Sequence, residues 1–203
     1  MLKNWIFSLA LALPLMVNAQ SYNEALLGWR EIYTQSLLIG SHPLKPEEAK
    51  YLRFFAPDEE YNVKGDFVPA KSKPFLLENK NGGKRKAVSL YGTVTFELMG
   101  ATLKLNIYRF VNLENVPLGN DKLFIPFTDR SNDHETFAGG RYLDLSTKDI
   151  KYGKVVLDFN KCYNPHTAYE KYYPYMVPPK ANHLPIDINA GEKKFGFQPE
   201  YYR

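Results

Sequence analysis

TVTFELMGATLKLNIYRF, residues 93–110, is the stretch that decides the fold class. Apolar and polar side chains alternate along both of its halves, and Gly100 stands between them. Successive side chains of a β-strand point to opposite faces, so this alternation is typical of a strand pair with one buried face. The sequence therefore predicts a β-hairpin that turns near Gly100.

Further strand-like segments surround this hairpin. They are short, clusters of Gly, Pro, Asn and Asp separate them, and no helical crossover lies between them. Together they predict a mainly β, α+β fold in which an antiparallel meander forms a barrel or a sandwich. The predicted segments are 63–69, 74–78, 84–90, 122–127, 140–145, 154–160 and 183–189.

Two helical patterns precede the strands. Residues 21–39 carry apolar side chains at spacings of three and four, after Ser21 as an N-cap with Glu24 three residues on. Pro46, followed by two glutamates, opens a second and shorter helix. We expect one or both helices to pack on an opening or face of the β-structure.

The composition is that of a globular protein. Of 203 residues, 24% are charged and 44% hydrophobic, which excludes the collagen-like, coiled-coil and wholly disordered classes. The formal net charge of +4 is too small to predict nucleic-acid binding. Because no repeat or long linker interrupts the chain, we expect a single β-rich domain over residues 20–203.

The N-terminal residues 1–19, MLKNWIFSLALALPLMVNA, match a secretory signal peptide. Lys3 precedes an apolar stretch, and the small Ala19 marks a cleavage point before Gln20. The alternative is a membrane anchor, but the apolar stretch is shorter than the ~20 residues that span a bilayer and contains Pro14. We therefore expect a secreted or periplasmic protein with no membrane span after signal removal.

Cysteine and histidine usage predicts neither metal nor cofactor. Cys162 is the single cysteine, so it forms no intramolecular disulfide, and we interpret it as a small apolar filler rather than a nucleophile. The four histidines lack the spacing of a structural zinc site. A site built from His134, Glu135 and His166 stays geometrically open. No nucleophile elbow, phosphate loop or dinucleotide motif is found.

The densest polar segment, residues 127–146, lies between two predicted strands. Glu135 or His134 suits a general base, and the planar fork of Arg141 suits an anion. The alternative is a polar surface loop in which Arg141 and Asp144 pair with their neighbours.

A second polar segment, LDFNKCYNPHTAYEKYYPY, follows another predicted strand. Asn160, Asn164 and Tyr169 offer hydrogen bonds and stacking without net charge, as a sugar-like or peptide-like ligand requires. The alternative for Asn164 is a purely conformational role, because Pro165 follows it and Asn-Pro is itself a turn signal.

The two segments carry a family resemblance. The strings LFIPFTDRSNDHETFAGGRYLDL and LDFNKCYNPHTAYEKYYPYMVPPKANHLPIDINAGEKKF resemble the signature blocks of the bacterial and archaeal domain-of-unknown-function family 1684. Trp29 and Arg30, the SHPL string and the LRFFAPDEEYNV segment agree with it in order. The family carries no established activity, so the resemblance implies a shared site without naming a reaction.

Two functions of different classes follow from these residues. The first is a binding domain that presents Arg141, Tyr142, Asn160, Asn164 and Tyr169 to a small polar molecule or a cell-envelope component. The second is a cofactor-independent hydrolase or lyase. In it Glu135 is the base, Arg141 stabilises negative charge, and Asp144 or His134 orients a partner. The oligomeric state is left open.

Overall fold

Among the residues that the structure describes, ten β-strands and one α-helix form the framework of the fold. The computed structural model describes residues 13–39, 44–83, 85–111 and 121–196. Within these ranges helix α1 is Leu13–Ser36. The strands are β1 Asn62–Pro69, β2 Phe75–Leu76, β3 Asn79–Lys80, β4 Ala87–Leu98, β5 Ala101–Phe110, β6 Lys122–Asp129, β7 Arg141–Ser146, β8 Lys154–Asp158, β9 Tyr175–Met176 and β10 His183–Leu184.

Eight strands form one curled sheet with the order β10-β6-β5-β4-β1-β8, in which β2 also pairs with β4 and β7 with β6. Strands β3 and β9 form a separate antiparallel pair. The run from β4 to β7 is a meander of sequential antiparallel neighbours, and the sheet curls into a half-barrel. The predicted mainly β, α+β class is confirmed.

The β4–β5 hairpin has the predicted register and turn. Val94 lies opposite Leu105 and Phe96 opposite Leu103, so their side chains share the buried face. Met99 and Gly100 form the turn with φ values of 51° and 74°. Left-handed backbone costs glycine little, which explains the glycine at the tip.

Both faces of the sheet bury apolar side chains. The main core occupies the inner face and includes Leu123, Ile125 and Phe127 of β6. A smaller cluster on the outer face contains Tyr108 and Phe124. Strand β4 contributes to both clusters because a bulge between Leu90 and Gly92 shifts its register. The outer face is therefore partly covered by protein, and this is where the candidate site lies.

The predicted strand 183–189 is wrong beyond its first two residues. Only His183–Leu184 pairs, in parallel with Thr128 and Asp129 of β6. The buried amide of Asn182 bonds to Asn106 of β5 and to the carbonyl of Pro126 in β6, where those strands diverge. Beyond Leu184 the carbonyl oxygens of Ile188, Ala190 and Glu192 accept hydrogen bonds from the side chain of Arg141 and not from a neighbouring strand.

Within the described residues helix α1 runs from Leu13 to Ser36, so Ser21 lies inside it and its predicted N-cap role is wrong. Leu26 and Leu37 are buried, whereas Ile32 is 73% exposed. Only part of the apolar face that the sequence predicts is therefore buried. The second predicted helix is the 3₁₀ helix Pro46–Tyr51.

The predicted signal peptide lies mostly outside the described residues. Its cleavage point after Ala19 falls within α1. No helix in the described part of the chain has the length and apolar character needed to cross a membrane.

Candidate functional site

The candidate site begins with the alternation of side chains on β6 and β7. Phe124 lies opposite Asp144, and Pro126 lies opposite Tyr142. Since the neighbouring Leu123 and Ile125 belong to the main core, these residues are placed on the outer face. One aromatic ring, one phenol and one carboxylate are thus brought together by two adjacent strands.

The segment of residues 163–176 crosses this outer face and encloses a cleft of about 890 Å³. Tyr142 and Tyr163 exchange backbone hydrogen bonds of 2.9 and 3.0 Å, which tie the segment to β7. The Tyr142 hydroxyl donates to the carbonyl oxygen of Met176 at 2.6 Å. We call this space the aromatic cleft.

The walls of the aromatic cleft combine rings with a few polar groups. Phe110 stacks on Phe124 with a centroid distance of 4.4 Å, and Tyr142 meets Tyr163 edge to face at 5.9 Å. Such walls offer flat apolar surfaces to a ligand. The aromatic lining residues are Phe110, Phe124, Tyr142, Tyr163, Tyr173 and Tyr175, and the charged or polar ones include Lys86, Lys122, Asp144, Asn164 and His166.

Asp144 is the acidic group of the cleft. Its Oδ1 accepts a hydrogen bond of 2.8 Å from the Tyr163 hydroxyl. Loss of hydration in the cleft raises the pKa of Asp144, while the bond from Tyr163 and the charge of Lys122 oppose that rise. Burial and the nearby Asp144 carboxylate raise the pKa of Tyr163 well above its ordinary value. Tyr163 therefore stays protonated and donates to the carboxylate.

Asn164 places a buried hydrogen-bond acceptor at the wall of the same cleft. Its Nδ2 donates to the carbonyl oxygen of Lys193 at 2.9 Å, which fixes the orientation of the amide because a carbonyl can only accept. The other amide atom, Oδ1, is buried and has no protein partner. Leaving a buried acceptor unpaired costs about 1 to 3 kcal/mol.

Arg141, predicted to hold a ligand anion, is instead sealed inside the protein. It is 0% exposed, and its Nη2 lies 2.9 Å from Oδ2 of Asp129. The guanidinium also donates to the carbonyl oxygens of Ile188, Ala190 and Glu192. Those partners fasten the C-terminal segment to β7. Arg141 pairs with neither Asp144 nor Glu135, because Arg141 faces the core and Asp144 faces outward.

Asn160 and Tyr169 are also buried and hydrogen-bonded within the fold. The Asn160 amide bonds to both the N–H and the carbonyl of Asp58, and it reaches the Tyr22 hydroxyl of α1. The Tyr169 hydroxyl donates to Oε1 of Glu192 at 2.6 Å. Neither side chain lines the aromatic cleft. Of the five predicted ligand residues, the structure brings only Tyr142 and Asn164 to it.

The predicted catalytic group is not assembled. Glu135 is exposed, and its carboxylate pairs with Lys193 at 3.0 Å. His134 is exposed as well. Because the Arg141 guanidinium has no exposed surface, it cannot face a substrate held by Glu135. The hydrolase or lyase geometry that required both groups is absent.

Glu192 is a buried carboxyl that the pattern of residues did not reveal. It is 0% exposed and accepts hydrogen bonds from Tyr33, Tyr169 and the Asn164 N–H. Burial raises the pKa of Glu192, and these hydrogen bonds oppose the rise. The available signal was its place in the second family block, where a lone acid follows Ala190 and Gly191. It joins α1 to the C-terminal segment and faces no open space.

Cys162 is buried, and no metal site is assembled among the described residues. Burial raises the pKa of the Cys162 thiol to about 12, and its Sγ lies 3.5 Å from the Ala190 carbonyl oxygen. Among the described residues, no three His, Cys, Asp or Glu side chains are grouped closely enough to hold a metal ion. The metal site that the sequence left possible for His134, Glu135 and His166 is therefore not formed.

Comparisons with known proteins agree with this architecture. A family model described as "protein of unknown function (DUF1684)" matches residues 48–193. The chain resembles the solution NMR structure of an uncharacterised protein of Haloarcula marismortui. The two share 25% sequence identity and a TM-score of 0.60 over 84% of this chain and 97% of the other. No curated protein matches the chain.

Proposed function

Because the chain belongs to DUF1684, a family of proteins of unknown function, we propose a function from its own geometry: it is a binding domain, and its aromatic cleft holds a small polar ligand. The observation that carries the proposal is the meeting of aromatic walls with the exposed carboxylate of Asp144 in one cleft.

These groups favour a ligand that has a flat apolar face and carries O–H or N–H donors. Rings such as Phe124 and Tyr163 contact the apolar face, while Asp144 accepts from the donors. Lys122 and Lys86 also line the cleft and suit an acidic substituent. A sugar ring, neutral or acidic, has this combination. A cell-envelope component of that chemistry is therefore the ligand class that we propose.

Binding can be measured by NMR titration of the mature protein. The probes are glucose, N-acetylglucosamine and glucuronate, with acetate and phosphate as anions that have no hydroxylated ring. We expect at least one ring compound to shift the amide signals of Tyr142, Asp144 and Tyr163 in a saturable way. Shifts with acetate and phosphate alone would reduce the site to a simple anion site.

Two variants test where the ligand lies. Asp144→Asn retains an acceptor for Tyr163 but loses the charge, and we expect it to weaken binding about tenfold, since a hydrogen bond to a charged group contributes about 1.5 to 3 kcal/mol. Glu135→Gln is the matched control, because Glu135 is an exposed carboxylate outside the cleft. Equal loss in both variants, or no saturable shift with any ring compound, would contradict the proposal.

We also propose that the protein acts in the periplasm or outside the cell after removal of residues 1–19. The basic, apolar and small-residue order of that segment supports the proposal. N-terminal sequencing of protein recovered from expressing cells is the test. A mature chain that starts at Gln20 is expected, and an uncleaved chain would contradict it.

A further inference from the structure

A second, larger cleft lies between helix α1 and strands β7 and β8. Its lining includes Trp29 and Tyr33 of α1, residues 143–145 of β7 and residues 154–156 of β8. The space measures about 1240 Å³, and we call it the helix cleft. Neither α1 nor β8 lines the aromatic cleft, so a single sugar ring bound there leaves the helix cleft open.

The helix cleft and the aromatic cleft border each other. Four residues line both spaces, and none of the four is buried: Asp144, Leu145, Tyr163 and His166. The hydrogen bond from Tyr163 to Asp144 lies at this border. The two spaces therefore meet along accessible side chains, and one ligand of sufficient length can contact both.

A row of neighbouring aromatic rings runs through both clefts. Trp29 stacks on Tyr33 with a centroid distance of 5.4 Å and an interplanar angle of 4°. Tyr33 meets Tyr163 at 5.8 Å, and Tyr163 meets Tyr142 at 5.9 Å. The first two rings line the helix cleft, the last lines the aromatic cleft, and Tyr163 lines both. Trp29 keeps part of its surface exposed, so the row ends in a flat ring that a ligand can contact.

The charges that line the helix cleft balance. Three of its lysines form ion pairs with aspartates: Lys148 with Asp121, Lys154 with Asp66 and Lys161 with Asp158. The lining groups without an ion pair to any described residue are two cations and two carboxylates, Lys64, Lys151, Asp144 and Asp149. Unpaired groups of both signs give no net attraction for an anion or a cation. Lysine donates hydrogen bonds and a carboxylate accepts them, and a sugar hydroxyl can do both.

We infer that the helix cleft holds further rings of a neutral glycan chain, one ring of which lies in the aromatic cleft. The inference rests on the proposed function, because the aromatic cleft supplies the site of that ring. Hydroxyl groups of the chain donate to Asp144 and Asp149 and accept from the unpaired lysines. The apolar faces of its rings contact Trp29 and Tyr163. The ligand is thus a linear oligosaccharide and not a single sugar.

The length of the sugar chain is the variable that tests this inference. Trp29 is the single tryptophan of residues 20–203, so tryptophan fluorescence of the mature chain reports on the helix cleft. The probes are N-acetylglucosamine with tetra-N-acetylchitotetraose, and glucose with cellotetraose. We expect at least one tetramer to change the fluorescence saturably and to bind at least about tenfold more tightly than its monomer, because linked rings contact both clefts at once. The monomers should leave the fluorescence unchanged.

Variants of the protein separate the two clefts. Trp29→Ala should weaken binding of the tetramer at least about fivefold and leave binding of the monomer within about twofold, both followed by the NMR signals of Tyr142 and Asp144. Trp29→Phe keeps a flat ring and should stay within about threefold of the parent for the tetramer, which distinguishes ring contact from a structural role of the indole. Tyr172→Ala, which removes an exposed aromatic ring outside both clefts, is the matched control and should change neither affinity.

Four results would overturn the inference. Equal affinity of monomers and tetramers, with unchanged tryptophan fluorescence, would show that only the aromatic cleft binds sugar, so the proposed function would stand alone. No saturable response to any sugar would remove the proposed function as well. A larger gain from galacturonate to tetragalacturonate than in the neutral series would show that the helix cleft selects charge. An end-capped Ser-Gly heptapeptide that changes the fluorescence where neither tetramer does would assign the helix cleft to a polypeptide.

Discussion

The two faces of β7 hold charged residues in opposite ways. Arg141 faces the core, where it is 0% exposed and meets Asp129 and three backbone carbonyls. Asp144, three residues later, faces the aromatic cleft, where Tyr163 is its hydrogen-bond donor. One strand therefore carries a sealed ion pair on one side and an open carboxylate on the other.

This difference distinguishes side chains that stabilise the fold from side chains that can contact a ligand. A buried charge must be paired and hydrogen-bonded, and Arg141 uses its Nη1 and Nη2 groups on protein acceptors, with no surface left for a ligand. Asp144 is exposed and has acceptor capacity left over beside the cleft. Exposed hydrogen-bonding capacity beside open space, more than charge itself, marks the candidate site.

The largest effect on stability is expected from removing the buried side chain of Arg141. Arg141→Ala removes the cationic partner of the buried Asp129 carboxylate and the donor to the carbonyls of Ile188, Ala190 and Glu192, so unfolding free energy should fall by about 3 to 5 kcal/mol in urea titrations. Arg130→Ala, an exposed arginine eleven positions earlier, is the control and should change it by less than about 0.5 kcal/mol. A loss below about 1 kcal/mol for Arg141→Ala would show that the pair contributes no more than a solvated one.

A second buried carboxyl, Glu192, sharpens the comparison through pH. Its pKa is raised in the folded protein above the ordinary value of 4.5, so between those two values the folded state holds more protons than the unfolded state. The contribution of Glu192 to stability should therefore be greatest below about pH 4.5 and be lost as pH rises through the folded pKa, by about 1.4 kcal/mol per unit of the rise.

Glu192→Gln isolates that contribution. A glutamine can turn its oxygen toward the Asn164 N–H and its NH₂ toward the Tyr169 hydroxyl, which can accept. The expected result is a flatter dependence of stability on pH than the parent shows, measured by urea unfolding between about pH 4 and 8. The raised pKa of Asp144 gives a slope of the same sign in both proteins, so it cancels in the difference. Parallel curves would refute a buried, ionising Glu192.

On the open side, Tyr163→Phe removes the hydroxyl that donates to Asp144. We expect a loss of about 0.5 to 1.5 kcal/mol in stability, the usual net contribution of one hydrogen bond. Because that bond lowers the pKa of Asp144, its removal should raise the carboxyl pKa further, as followed by ¹³C NMR titration of the side chain. Tyr152→Phe, at a fully exposed turn, should leave that pKa unchanged. A lowered pKa in Tyr163→Phe would contradict the assigned hydrogen bond.

Much of the fold could be read from the alternation of side chains. The pattern in residues 93–110 sets both the buried face and the turn of the β4–β5 hairpin, because strand periodicity is local. Residues 183–189 also resemble a strand, yet the carbonyl of Ile188 accepts a hydrogen bond from the guanidinium of Arg141. Arg141 lies more than forty positions away along the chain, so no local pattern reveals this partner.

The candidate site could be read only in part, for a related reason. The sequence does not show whether a polar side chain bonds within the fold or lines a cleft. Arg141 and Asn160 hydrogen-bond to backbone carbonyls inside the protein, whereas Tyr142 and Asn164 line the aromatic cleft. The side of the strand decides between them, and a single β-bulge or a crossing segment such as 163–176 can change what covers that side.

The smallest effect is expected at Glu135, which tests whether polarity in a loop implies function. Its ion pair with Lys193 is exposed, and solvent screening leaves such pairs about 0 to 1 kcal/mol. Glu135→Gln should therefore change unfolding free energy by less than about 0.5 kcal/mol and leave the NMR signals of Tyr142 and Asp144 in place. If it shifted those signals as strongly as Asp144→Asn does, the loop of residues 130–140 would be coupled to the aromatic cleft. The division of β7 into a sealed face and an open face would then no longer describe the site.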